Sequence, residues 1–173
     1  LAVLKIGRLI TPDFVRGEAA TLRDAVTKNG WPALEKCRGK IMFCLDNEGA
    51  HRDTYLKGNL TLEKRLLFAS VGATEPAAAW MKRNDPVQGF EEIQKLVKAG
   101  FMVRTRADAN TVEARSNDSS RSLKALASGA QFVSTDFPDK VPRISDYEVR
   151  LPGRVVARAN LVSAPELKGK AIK

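Results

Sequence analysis

Four short apolar runs recur along the chain, and each is separated from the next by a helical pattern. They occupy residues 40–45 (KIMFCL, followed by Asp46 and Asn47), 65–71 (RLLFASV), 101–106 (FMVRTR) and 131–135 (QFVST, followed by Asp136). Their length predicts strands. Ahead of the first run, Thr11 with Pro12 predicts an N-cap with proline at the first helical position. Residues 18–29 follow as a helix with Leu22, Ala25 and Val26 on one side, closed by Gly30. Residues 50–57 predict a short helix. EPAAAWMKRND and FEEIQKLVKAG predict two more, the second with Phe90, Ile93, Leu96 and Val97 as its apolar stripe. Residues 111–128 predict a helix bent around SNDSS, with Leu123, Leu126 and Ala127 inward and Gly129 at its end. Strand and helix in alternation predict parallel strands joined by right-handed crossovers. A Pro- and Gly-containing tail follows, with a short β segment at residues 147–151. No repeat and no second domain is visible, so the expectation is one domain over residues 1–173, with 138–173 as an irregular tail.

The third run poses a chemical question. Side chains alternate along a strand, so Met102, Arg104, Arg106 and Asp108 share one face, and Val103, Thr105 and Ala107 share the other. The small, apolar face suits packing under helices. The charged face needs water, partners or a ligand, because burying unpaired charge is expensive. An exposed edge strand carrying an ion pair is the plain structural reading. The other strand ends are polar as well: Asp46, Asn47 and Glu48 on the first, Ser70 on the second, and Ser134, Thr135 and Asp136 on the fourth. Polar groups gathered at the C-terminal ends of parallel strands are where α/β folds place ligand sites. A crossover on each side makes the third strand central and turns its charged face toward a barrel mouth. Each acidic candidate also has a structural alternative. Asp108 pairs with Arg106 or Arg115, Asp136 caps the loop before Pro138, or Asp46 caps the next helix.

Composition narrows the partner class. Of 173 residues, 43% are hydrophobic and 28% charged, the balance of an ordinary globular protein. The 29 basic residues exceed the 20 acidic ones, giving a formal charge of +9 that favours anionic partners. The basic residues are dispersed, with no Lys/Arg run and no basic–aromatic interleaving, so a nucleic-acid partner is not expected. No apolar run is long enough to cross a bilayer. Residues 1–10 are short and carry Lys5 and Arg8, so they do not read as a signal peptide. Leu1 is not methionine, and a processed or partial product is the expectation. Cys37 and Cys44 read as free thiols. His51 stands alone, which argues against zinc chemistry.

Three stretches carry a family resemblance: RLITPDFVRGEAATLRDAVTKNGWPALEKCRGKIMFCLDN, GFMVRTRADANTVEAR and LASGAQFVSTDFP. With VRTRAD and SGAQFVSTD as its most specific parts, the chain resembles the C-terminal half of the calcium-dependent phosphatidylinositol-specific phospholipase C family. The resemblance implies an α/β fold: a partial TIM-type (β/α) barrel of about four parallel strands, strands five to eight, with helices outside. It further implies phosphodiester cleavage of phosphatidylinositol-type lipids, with Ca²⁺ assistance and internal attack by the inositol 2-hydroxyl. Two histidines serve as general base and acid in such enzymes. His51 matches neither, so the N-terminal half of the barrel is expected to supply them and most of the Ca²⁺ ligands.

On that reading Arg104 and Arg106 bind phosphate oxygens or inositol hydroxyls and stabilise developing charge. Asp136 orients a histidine. Asp108, Ser134 and Phe137 contact substrate, and Asp46 is a candidate Ca²⁺ ligand. Relatives often carry tyrosine after the STD triplet where Phe137 stands, so the ring is retained and the hydroxyl is not. The tail RANLVSAPELKGKAIK diverges from the family pattern. Expected partners are an anionic phospholipid or inositol phosphate, with peripheral membrane contact, and the parent protein is expected to be secreted or periplasmic. A non-enzymatic, phosphate-binding half-barrel is the competing expectation.

Overall fold

The structure is a computed structural model and describes residues 5–172. Contacts within the chain group it into two compact units, Leu1–Met81 and Lys82–Lys173. In the first, β1 (Leu9–Ile10), β2 (Ile41–Leu45) and β3 (Leu67–Ala69) form a parallel sheet in the order β1-β2-β3. Its helices are α1 (Pro12–Arg16), α2 (Leu22–Asp24), α3 (Leu34–Cys37) and α4 (Ala50–Leu56). Thr11 caps α1 as its sequence predicts, its hydroxyl accepting from the Phe14 N–H at 3.1 Å with Pro12 in the first turn. The helix expected over 18–29 starts later, because Thr21 caps it by accepting from the Asp24 N–H. It continues as a π-helical turn, Ala25–Asn29, and ends at Gly30, whose φ of 79° only glycine adopts readily. Leu22, Val26, Leu62 and Phe68 are buried in this unit, and Trp31 lies 5.6 Å from the Phe68 ring.

The second sheet runs β4-β5-β6, formed by β4 (Trp80–Lys82), β5 (Met102–Arg106) and β6 (Phe132–Ser134). β5 and β6 are parallel, with Arg104 opposite Phe132 and Arg106 opposite Ser134. The helices of this unit are α5 (Phe90–Lys98), α6 (Val112–Ser116) and α7 (Ser120–Ala127). α5 and α7 pack against β5. Ile93, Leu96 and Val97 are buried on the expected stripe of α5, and Gly100 follows at φ 94°. The bend predicted at SNDSS is the break between α6 and α7.

Four features correct the sequence reading. The four predicted strands all form, but the fold is not a four-stranded partial TIM-type barrel. Six strands make two three-stranded sheets, and there is no closed barrel among the described residues. The two missed strands have physical reasons. β1 is only two residues long. β4 emerges from EPAAAWMKRND, where the expected helix does not form: Ala77 to Met81 are all buried, so no alternation marks the strand. Next, α7 is rotated from expectation: Leu123 and Ala127 are exposed, while Ser122 and Ala125 are buried. The smaller side chains allow closer approach to the core. Finally, residues 147–151 are not a strand. Tyr147 is instead buried with Phe137 and Ala114 in a small cluster, against which Val141 and Val149 pack.

Candidate functional site

β5 positions the site. Val103, Thr105 and Ala107 are fully buried under the helices, whereas Met102, Arg104 and Arg106 are half-exposed. The expected split between a packed face and a charged face is therefore present. Directly paired residues of a sheet share a face, so Phe132 and Ser134 of β6 flank the two arginines. At about 3.3 Å rise per residue, Arg104 and Arg106 start about 6.6 Å apart.

The partners of these guanidinium groups are informative. Arg104 donates from Nη1 to Asn84 Oδ1 at 2.7 Å, a neutral acceptor. Its backbone carbonyl accepts from the Arg83 N–H at 2.9 Å. Arg106 has no side-chain hydrogen bond or ion pair among the described residues. By contrast, Arg83 is paired with Glu92 at 2.8 Å, and Arg121 lies between Asp85 at 3.5 Å and Glu113 at 3.7 Å. Arg121 also donates to the Asn84 carbonyl at 2.7 Å, which fixes the loop that carries Arg104's partner. The arginines facing outward on β5 thus retain uncompensated positive charge, while their neighbours are neutralised.

Asp108 has a different place from the one alternation predicts. β5 ends at Arg106, the alternation stops there, and Ala107 and Asp108 are both buried. Asp108 pairs with neither Arg106 nor Arg115. Its Oδ1 accepts from the Asp136 N–H at 3.0 Å, and its Oδ2 accepts from the Thr135 hydroxyl. The Tyr147 hydroxyl lies 3.3 Å from the Ala107 carbonyl and 3.4 Å from Asp108 Oδ2. Burial, reinforced by the neighbouring Asp108 carboxylate, pushes the Tyr147 phenol up to about 12. The Phe137 N–H donates to Thr135 Oγ1 at 2.9 Å, so one buried carboxylate orders the whole turn after β6.

That turn presents Asp136 to solvent. Phe137 faces inward: it is 6% exposed and meets Tyr147 edge-on at 5.7 Å. Ser134 is half-buried, and its hydroxyl donates to the Thr105 carbonyl at 3.2 Å. Asp46 is exposed just beyond β2, in the other unit. Asn84, Arg121 and Tyr147 escape the sequence reading as participants, and Thr135 enters it only as a polar strand-end residue without a role. Thr135 had a usable signal, since it stands between Ser134 and Asp136. Tyr147 had none, because its contact with Asp108 spans 39 residues.

No group of three or more His, Cys, Asp or Glu side chains placed to hold a metal ion occurs among the described residues. Cys37 and Cys44 are free, and burial pushes the Cys44 thiol up to about 12. Comparison with curated proteins and with solved structures finds no match. Residues 1–161 do match a family model described as phosphoinositide phospholipase C, Ca²⁺-dependent. The motifs around β5 and β6, and nearly all of the chain that carries them, fall within this match, and the chain belongs to the Ca²⁺-dependent phosphoinositide phospholipase C family.

Proposed function

We propose that the chain provides the phosphate- and inositol-binding part of a phosphodiester-cleaving site for phosphatidylinositol-type lipids. The observation that carries this reading is the pair of outward guanidinium groups on β5, Arg104 and Arg106, neither of which has a carboxylate partner among the described residues. Phosphodiester cleavage develops negative charge on the nonbridging oxygens, and fixed cations lower its energy. Guanidinium groups bind such oxygens bidentately. The spacing of the pair lets one hold phosphate while the other reaches phosphate or inositol hydroxyls.

Asp136 is the group offered to an acid–base histidine, since its exposed carboxylate can accept from an imidazole N–H and fix the tautomer. Asp108 is a positioning residue, acting through Thr135 and the Asp136 backbone. Ser134 lies beside Arg106 and is available to a hydroxyl of the substrate. Phe137 acts through the turn it anchors. The chain contains one histidine, His51, exposed in α4, so a two-histidine acid–base pair is not contained in it. The family description includes Ca²⁺. Among the described residues no group of three or more His, Cys, Asp or Glu side chains is placed to hold such an ion, and Asp46 alone is no site. The single histidine also favours a second reading, phosphate binding without catalysis by this chain.

Calorimetric titration of the 173-residue chain with inositol 1-phosphate tests the proposal. Binding should weaken about tenfold or more in Arg104→Ala and in Arg106→Ala, the size expected for a lost charge-assisted hydrogen bond. Wild-type affinity in both variants removes these residues from the site. Inositol phosphate release from phosphatidylinositol vesicles, with Ca²⁺ or a chelator, separates the two readings: binding without release supports the second.

A further inference from the structure

Among the described residues, the Arg104 side chain makes one hydrogen bond, to the Asn84 amide oxygen at 2.7 Å, although a carboxylate stands next in sequence at Asp85. A carboxylate would hold the guanidinium more strongly than an amide does, and it would also cancel its charge. The fold therefore gives Arg104 the weaker of two adjacent acceptors. The neighbouring arginines are treated the other way, since Arg83 meets Glu92 and Arg121 meets Asp85 and Glu113.

The local structure enforces this choice. Asp85 is occupied by its own turn: its Oδ1 accepts from the Val87 N–H at 2.9 Å and the Gln88 N–H at 3.3 Å, and lies 3.5 Å from Arg121. The Asp85 carbonyl accepts from the Gly89 N–H at 3.0 Å, and a Cβ at Gly89 would come within 2.7 Å of that oxygen, so a side chain there would force the turn open. Asn84 is held from two directions. The Arg83 N–H donates to the Arg104 carbonyl at 2.9 Å, which carries the β4–β5 contact up to the residue before Asn84. Arg121 donates to the Asn84 carbonyl at 2.7 Å. Arg121 also lies 3.7 Å from Glu113, whose Oε2 accepts from the Ala109 N–H at 2.9 Å in the turn after β5. One guanidinium thus ties together the turns that follow β4 and β5, and the amide of Asn84 meets Arg104 from a fixed backbone.

We infer that Asn84 is a positioning residue of the phosphate site, one that aims the Arg104 guanidinium and leaves its positive charge to an anionic ligand. The inference rests on the reading of Arg104 as a phosphate-binding group. A long, flexible arginine side chain loses rotamer freedom when it binds, and an acceptor already in place takes up part of that loss beforehand. An acidic acceptor would orient the side chain equally well, but it would compete with phosphate for the same donors and the same charge. An amide orients without competing as a charge, which is the chemical reason for asparagine rather than aspartate at this position.

Calorimetric titration of the 173-residue chain with inositol 1-phosphate, set beside urea unfolding, tests this role. Asn84→Asp should weaken binding about tenfold or more while the urea midpoint holds or rises, because the introduced carboxylate pairs with Arg104. A purely structural residue would move both readouts in the same direction. Asn84→Ala should weaken binding about threefold, the smaller effect of losing orientation alone. In an Arg104→Ala background, Asn84→Ala should change affinity by less than about twofold, since its effect passes through the guanidinium. Wild-type affinity in Asn84→Asp, with Arg104→Ala still weakened, overturns the inference and leaves the phosphate site standing. Weaker binding together with a lower urea midpoint in Asn84→Asp overturns it as well, because the residue would then only hold the fold. Equal losses from Asn84→Ala with and without Arg104 also overturn it. Wild-type affinity in both Arg104→Ala and Asn84→Asp, or no binding by the wild-type chain, removes the phosphate site and the inference with it.

Discussion

β2 and β5 are the middle strands of their sheets, yet they differ in what they expose. On β5, burial alternates cleanly, and the outward positions are Arg104 and Arg106. On β2, no residue is fully buried, and the most open positions are Ile41 and Phe43, 42% and 39% exposed. Two helices seal one face of β5 and leave the other to charge. β2 divides its apolar side chains between both faces. The lesson is that strand position alone does not make a ligand face. What distinguishes β5 is charge without a counter-charge, held beside a turn that a buried carboxylate orders. Asp46, at the end of β2, has no comparable setting: it is exposed, and no metal-holding group surrounds it among the described residues.

The largest effect that would sharpen this contrast is at Asp108. Asp108→Ala removes the acceptor shared by the Thr135 hydroxyl, the Asp136 N–H and the Tyr147 hydroxyl, and leaves buried donors unpaired. A loss of about 3 kcal/mol in urea unfolding is expected. Asp46→Ala should change stability by less than about 1 kcal/mol. Similar losses at the two positions would break the comparison.

Alkaline titration distinguishes the units by onset. Cys44 in the first unit and Tyr147 in the second both have folded-state values near 12, against ordinary values of 9.0 and 10.0. Between the ordinary and raised values the unfolded chain has released a proton that the folded chain still holds. Stability therefore falls as pH rises, from about 9 to 12 for Cys44 and from about 10 to 12 for Tyr147. Cys44→Ala should remove the earlier part of the decline and Tyr147→Phe the later part, as read from unfolding midpoints against pH. At neutral pH, Tyr147→Phe should cost about 1 kcal/mol, since it removes one buried hydroxyl interaction and retains the ring against Phe137. Ser134→Ala is the smallest change expected. It loses one hydroxyl contact with Thr105 and costs about 0.5 kcal/mol.

The legible part of the fold was local. Alternation in FMVRTR predicted which face of β5 packs and which carries charge, and the stripe on α5 predicted its buried side. The Thr11–Pro12 pair predicted the start of α1 because a cap acts over a few residues. Alternation misled at Asp108, where the strand had already ended. At β4 a helix was expected instead, because the burial of Ala77 to Met81 leaves no alternation to mark a strand. The candidate site was partly legible for the same reason. Arg104 and Arg106 followed from strand geometry, whereas Asn84, Arg121 and Tyr147 reach the site from elsewhere in the chain.

The sequence by itself determined β2, β3, β5 and β6, several helix starts and ends, the placement of two arginines on one strand face, and the motifs of the family. These depend on near-neighbour sterics, capping and periodicity, which a chain carries wherever it folds. Only the tertiary structure decided that the strands form two three-stranded sheets, that Asp108 is an internal hub, and that Phe137 turns inward to Tyr147. Those outcomes depend on which distant groups meet and exclude water, a competition among many long-range contacts that local pattern does not encode.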